Sequence, residues 1–170
     1  MENGLQTASN TSYQMTKPRK KYRPKPISYN SINYVIGGFK KLDEEHMVNV
    51  QAKNSAALWS ISSGHGTKEH FDVLVGMSNM AKVLCETQFD MKYIEILRSG
   101  QDALEQLGKR YLKIKKFVLS GDELRALNDV IEIHSAQLEA LRVIDIEKAW
   151  NEIQRRLRHG INLTKIKESA

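Results

Sequence analysis

Proline placement is the feature that most constrains the fold of this chain. Its three prolines, Pro18, Pro24 and Pro26, lie within nine residues, and the 144 residues that follow contain none. Proline removes a backbone donor and clashes with the preceding helical turn, so its absence permits long helices. Apolar residues recur there mainly at three- and four-residue spacing, as in amphipathic helices. The sequence therefore predicts an all-α fold, a bundle of five or six helices with a disordered basic N-terminal arm.

The chain divides into three parts. Residues 1–30 are predicted to be a flexible basic arm, 31–160 a single helical domain and 161–170 a C-terminal tail. With 170 residues, the chain is long enough to bury a core without metals or disulfides. The lone Cys85 cannot form an intrachain disulfide, and no apolar run approaches the roughly 20 residues of a membrane span. We therefore expect a cytoplasmic protein without membrane contact.

Charge is distributed unevenly along the sequence. Residues 1–42 hold eight lysines and arginines against Glu2, a net charge of +7, which leaves −1 for the remaining 128 residues. Within that part, residues 147–170 carry a local +3. Both ends are therefore basic, and the middle is acidic.

The first half of the domain contains several helix signals. Residues 31–39 are predicted to form a short helix or docking segment that ends at Gly37 and Gly38. Asp43 is a candidate cap for a helix to about Ser62, and Thr67 for a second helix beyond Gly64-His65-Gly66. Two helical pieces, Asp90 to Arg98 and Gly100 to Lys115, are expected next, followed by a short extended stretch at 116–119.

The second half begins with the clearest helix start in the chain. Ser120 and Glu123 have the spacing of a capping box, and an apolar stripe follows at once. A break is predicted at Val143-Ile144 and a helix end at Gly160. The residues expected in the core are Leu127, Ile131, Leu138, Trp150 and Ile153.

Three stretches carry a resemblance to known sequences: PRKKYRPKP (Pro18 to Pro26), SGQDALEQLGKR (Ser99 to Arg110) and KFVLSGDELRALNDVIEIHSAQLEAL (Lys116 to Leu141). They resemble small helical proteins of unassigned function encoded by proteobacterial phages, prophages and plasmids. The resemblance implies an accessory protein of a mobile element, and it supplies no catalytic or ligand motif.

The arm is the main candidate for a binding site. Six cations in nine residues can neutralise phosphates and release their counterions, and an interleaved tyrosine can stack on a base. The candidate nucleic-acid-binding residues are Lys17, Arg19, Lys20, Lys21, Tyr22, Arg23 and Lys25. The alternative is a solvated tail that keeps the protein soluble or lies on its acidic middle.

A second basic surface is predicted near the C-terminus. Arg155, Arg156 and Arg158 fall within one helical turn, and we expect Arg155, Arg158 and Lys148 to point away from the apolar side of Ile146, Trp150, Ile153 and Leu157. The alternative is that these arginines only complement the negative end of the helix dipole.

Catalytic motifs are not recognisable. The five histidines lack metal-site spacing, and Cys85 is embedded in an apolar stripe, which favours a buried inert thiol over a metal ligand or nucleophile. His134 is interpreted as a hydrogen-bonded histidine at the core edge rather than an interface switch. The helix after Thr67 is the one candidate recognition helix, but its acidic residues favour a plain core helix. We therefore expect a protein that is not an enzyme and needs no cofactor.

The leading functional hypothesis is a non-enzymatic phage or mobile-element accessory protein that binds DNA, RNA or a host nucleoprotein complex through its basic arm. A homodimer is one further expectation. The alternative is an anti-CRISPR-like inhibitor of a host defence complex that acts by protein contact and steric blockade. The near-neutral folded part argues against simple DNA mimicry, which would need a strongly acidic surface.

Overall fold

The computed structural model describes residues 38–89 and 91–160. These residues form five α-helices and, within the same ranges, no named strand: α1 (Glu44–Ser62), α2 (Lys68–Gln88), α3 (Ile94–Ile114), α4 (Gly121–Ala140) and α5 (Val143–Arg158). The all-α prediction is confirmed. The arm, most of the 31–39 segment, Asp90 and the 161–170 tail lie outside the described residues.

Predicted caps mark two of the helix starts. The Thr67 side chain accepts from the backbone N–H of His70, and the Ser120 side chain accepts from that of Glu123. Each partner side chain accepts in return from the backbone N–H of the cap residue, which completes a capping box. Asp43 precedes α1 as predicted, but its side chain makes no capping hydrogen bond to the helix.

Helix α2 is the centre of the bundle, since it packs against all four other described helices. The main core lies among α1 to α4 and includes the fully buried Leu74, Leu97 and Leu127. A smaller cluster, with Leu84, Ala149 and Ile153, joins α5 to α2. Eight of the 21 residues of α2 are buried, which supports the interpretation of α2 as a core helix rather than a recognition helix.

The structure corrects the predicted interruption in α3. Gly100 does not separate two helical pieces, because α3 runs without a break from Ile94 to Ile114. The expected extended stretch at 116–119 forms no strand, although Phe117 is buried there. A break does occur near Val143, but two residues earlier than predicted, at Leu141 and Arg142.

The core residues predicted on α4 are buried or half-buried, whereas one of the two predicted on α5 is exposed. Leu127, Leu138 and Ile153 are buried, and Ile131 is half-buried. Trp150 is 52% exposed, so its prediction as a core residue is wrong. Helix α5 contacts α2 alone among the described helices, and a single contact covers a narrow stripe of Asp145, Ala149 and Ile153. Trp150 follows Ala149 by about 100° around the helix and therefore lies beside that stripe.

Candidate nucleic-acid interface

The segment that leads out of the predicted arm is attached to the first turn of α5. The backbone N–H of Val143 donates to the carbonyl oxygen of Lys40 at 3.0 Å, and Lys41 pairs with Arg142 in an antiparallel bridge. Gly38 lies so close to α5 that an added Cβ would come within 3.0 Å of Ile144 Cβ. The Arg142 guanidinium lies over the Phe39 ring, 5.3 Å from its centroid. Residues 38–41 are thus held at the start of α5.

One face of α5 is polar and basic along its length. Residues 144, 148, 151, 155 and 158 follow one another at four- and three-residue spacing, so they lie on the same helix face. Below Ile144, this face consists of Lys148, Asn151, Arg155 and Arg158, all exposed. The predicted exposure of Lys148, Arg155 and Arg158 is confirmed. We call these four residues the basic face of α5.

Glu152 partly offsets the positive charge of this face. Arg155 donates to both of its carboxylate oxygens at 2.7 Å, and Arg156 donates to one of them at 2.8 Å. These hydrogen bonds lower the pKa of Glu152 to about 2, so the carboxylate stays charged at neutral pH. Arg158 instead donates to the backbone oxygen of Gln154. Glu152 therefore does not offset the positive charges of Lys148 and Arg158, which belong to the basic face.

Arg156 differs from its two neighbours, because its side chain turns toward the bundle. Its guanidinium lies 2.7 Å from Glu86 on α2 and is 21% exposed. Glu152 binds the same guanidinium from its own helix. Of the three arginines predicted to form a basic surface, two face solvent, and Arg156 instead bridges α5 and α2.

The arm residues predicted to bind nucleic acid lie outside the described residues. They are Lys17, Arg19, Lys20, Lys21, Tyr22, Arg23 and Lys25. Gly38, the first described residue, lies beside Ile144 at the start of α5.

Sequence reasoning missed a third basic segment, at the end of α3. Residues 106–121 contain five lysines and arginines and no acidic residue. Two of these cations are paired: Lys109 with Glu105 at 2.6 Å and Arg110 with Glu123 at 2.5 Å. The signal was present in the sequence as a charge run, but summing charge over the whole middle of the chain concealed it.

Cys85 and His134 are buried in this fold, and His70 takes part in a helix cap. Cys85 is fully buried, and burial raises the pKa of its thiol. His70 belongs to the Thr67 capping box. His134 is 4% exposed, and burial lowers its pKa to about 4. A side-chain hydrogen bond with Gln137 opposes this shift, whereas Nδ1 has no hydrogen-bond partner, so the interpretation of a hydrogen-bonded histidine is supported only in part.

Residues 38–89 and 91–160 contain neither a metal cluster nor a membrane-spanning helix. No three histidine, cysteine or acidic side chains come together there in a way that would hold a metal ion. None of the five helices is both long and apolar enough to cross a bilayer. In comparisons with known proteins, neither a family model, a curated protein nor a solved structure matches the chain.

Proposed function

We propose that this chain is a non-enzymatic protein that binds nucleic acid, alone or in a nucleoprotein complex, and that its arm and the basic face of α5 contact the same polyanion. The observation that carries the proposal is the attachment of residues 38–41 to the first turn of α5. Because Ile144 heads the basic face and lies beside Gly38, the first described residues adjoin the same face of α5 that carries Lys148, Arg155 and Arg158.

Chain lengths are compatible with a shared binding site. The thirteen residues from Lys25 to Gly38 span at most about 45 Å when extended, and the fourteen steps from Ile144 to Arg158 span about 21 Å of helix. Cations of the arm can therefore lie near any part of the basic face. The two sets together supply six cations from the arm and three from α5.

Binding of this kind is electrostatic and largely independent of sequence. Lysine and arginine contacts to phosphates release condensed counterions, so affinity falls steeply with salt, with a slope that reports the number of contacts. Tyr22 supplies one aromatic ring among the arm cations, which suits stacking on an unpaired base. The resemblance to phage- and plasmid-encoded proteins supports an accessory role in a mobile element.

The test compares salt slopes for four proteins: the full chain, a deletion of residues 1–26, the K148Q/R155Q/R158Q variant, and a control. The control, K53Q/K92Q/R125Q, makes the same charge change at exposed residues outside α5. Binding of single- and double-stranded oligonucleotides is measured by fluorescence anisotropy. We expect the deletion and the α5 variant to weaken binding and flatten the slope, while the control retains more affinity than the α5 variant.

Combining the deletion with the α5 substitutions tests whether the two surfaces share a ligand. A shared polyanion predicts a combined loss smaller than the sum of the separate losses. A deletion variant that binds as tightly as the full chain at low salt would overturn the proposal. Equal losses for the α5 variant and its control would remove the basic face from the site.

A further inference from the structure

A groove opens between the first turn of α2 and the last turns of α3, away from α5. It encloses about 360 Å³ and is lined mainly by Phe71, Tyr111, Leu112 and Phe117. Lys68 and Asp72 also line it, on α2. Its volume falls in the lower part of the roughly 300–1,000 Å³ range of ligand pockets. The groove therefore has room for an apolar side chain.

Gly108 keeps the groove open. A Cβ added there would lie 3.3 Å from Cζ of Phe71, so even a methyl group would narrow the space between α2 and α3. Two aromatic contacts hold the walls: Tyr111 stacks on Phe117 with centroids 4.2 Å apart, and Phe71 stacks on Phe117 at 5.4 Å. Leu112, at the rim, is 69% exposed, although exposing an aliphatic side chain to water is unfavourable.

Three lysines lie next to this apolar site, at the end of α3. Lys113, Lys115 and Lys116 are exposed at the end of α3, and Lys115 lies with its Nζ 5.9 Å from the centroid of the Tyr111 ring. Lys68 adds a cation on the opposite wall, and Asp72 is the one carboxylate among the lining residues. An apolar recess with a mainly cationic rim complements a ligand with an apolar centre and an acidic border.

We propose that this groove is a docking site for an acidic amphipathic segment of a partner protein. An aliphatic or aromatic side chain of the partner enters between Phe71 and Leu112, and flanking carboxylates pair with the lysines of the rim. The geometry corresponds to a helix or extended peptide bound in a groove, with a central apolar contact and a polar surround.

Other occupants fit the groove less well. The basic arm of the same chain would meet like charge. A nucleic acid would find Phe117 stacked with both Phe71 and Tyr111, and it would meet an aliphatic residue, Leu112, at the rim. A bilayer surface is best contacted by a protruding apolar patch, whereas this site is recessed.

The groove is separate from the proposed nucleic-acid interface. It adjoins the start of α2 at Lys68, whereas α5 packs near Met80 and Leu84. Twelve residues of helix from Lys68 to Met80 correspond to about 18 Å. The protein can therefore hold a polyanion and a protein partner at once, and loss of either activity leaves the other testable.

A synthetic peptide provides the probe. It is a helical peptide of glutamate and alanine that carries one leucine and one phenylalanine four positions apart, on the same helix face. Two matched peptides replace either the apolar pair with serine or the glutamates with glutamine. Fluorescence anisotropy with the full chain at physiological ionic strength gives the affinities. We expect both altered peptides to bind about tenfold more weakly than the parent.

Variants of the protein locate the contact. Leu112→Ser and K113Q/K116Q should each weaken binding of the parent peptide about tenfold, and Gly108→Ala should weaken it by narrowing the groove. Lys115 is left unchanged because its backbone is left-handed, with φ of 56°. The controls are Ile96→Ser, at an exposed apolar residue on the same helix, and Lys53→Gln on α1. Thermal melts verify that every variant folds.

The proposal is overturned if Leu112→Ser binds the parent peptide as tightly as Ile96→Ser does, or if the glutamine peptide binds as well as the glutamate one. Parallel titrations use phosphatidylserine vesicles and a single-stranded oligonucleotide. If Leu112→Ser weakens binding to either of these but not to the peptide, the groove belongs to that other class of ligand. Persistence of peptide binding in the deletion of residues 1–26 supports the groove over the arm.

Discussion

Gly100 on α3 faces Val130 on α4 with no space for a β-carbon between them. A methyl group at residue 100 would overlap Cγ2 of Val130, which is fully buried. Gly100 thus permits the close approach of these two helices. The cost of a glycine inside a helix, about 1 kcal/mol relative to alanine, is offset here by tighter packing of α3 against α4.

Gly100→Ala should therefore destabilise the protein, although alanine is the better helix former. Overpacking typically costs about 1 to 3 kcal/mol. Gly76 provides a matched control, since it lies within α2 and has nothing within 4 Å of an added Cβ. Gly76→Ala should raise stability by up to about 1 kcal/mol. Urea unfolding measures both changes, and equal effects of the two substitutions would contradict this account.

This same glycine explains the error in the predicted helix boundaries. Gly100 follows Ser99 in the sequence, and a glycine after an apolar-periodic segment commonly marks a helix end. Local helix propensity cannot distinguish a glycine that ends a helix from a glycine that lets two helices cross closely. The difference depends on α4, which lies further along the chain. The caps at Thr67 and Ser120 were predictable, since their donors and acceptors lie within three residues of one another.

The candidate site, too, could be predicted from the sequence only where its residues lie on one helix. Periodicity predicts that Arg155 and Arg158 lie away from Ile153, because all three belong to one helix. The inward turn of Arg156 depends on Glu86, seventy residues earlier, and the exposure of Trp150 depends on how many helices cover α5. Neither fact has a local signal. The groove beside Gly108 likewise forms between residues of two helices.

Leu127→Ala should strongly destabilise the fold. Leu127 has no exposed surface and lies in the main core, so the substitution removes buried methyl groups and leaves a cavity that costs about 2 to 5 kcal/mol. Leu112→Ala makes the same chemical change at a residue that is 69% exposed and should alter stability by about 0.5 kcal/mol or less. Chemical denaturation of both variants tests the difference. A loss below about 0.5 kcal/mol for Leu127→Ala would contradict its burial.

His134 should make the fold sensitive to mild acid. Its pKa is lowered by burial from 6.5 to about 4 in the folded protein, so the unfolded chain binds the extra proton first. Stability should therefore decrease as pH falls from about 6.5 to about 4, by about 3 kcal/mol in total for this group. The depressed pKa values of Asp145 and Glu152 act in a lower range, because carboxylates protonate below about 4.5.

His134→Leu removes this titration and should flatten the stability curve between about pH 6.5 and pH 4.5. The matched control is His65→Gln, at an exposed histidine in the loop between α1 and α2. Urea unfolding across this pH range provides the measurement. If the His134→Leu curve keeps the slope of the unmodified protein, another group is responsible for the acid sensitivity.

Arg156 and Arg155 should have opposite phenotypes, although they are adjacent in the sequence. Arg156 links α5 to Glu86 through a partly buried ion pair, and α5 packs on no other described helix. Arg156→Ala leaves Glu86 and Glu152 without this partner, and we expect a loss of about 1 to 2 kcal/mol, between the values typical of surface and buried pairs. Its effect on the salt slope of oligonucleotide binding should be small, because the side chain is turned inward.

Arg155→Ala should show the reverse pattern. Its pair with Glu152 is a local surface contact on one helix, so the stability change should stay within about 0.5 kcal/mol. Because its guanidinium lies on the basic face, the salt slope should fall by about one contact if a phosphate binds there. Denaturation and anisotropy on the two single variants separate the roles. A salt slope lowered by Arg156→Ala but not by Arg155→Ala would refute the assignment of the basic face, because the inward residue would then carry the phosphate contact.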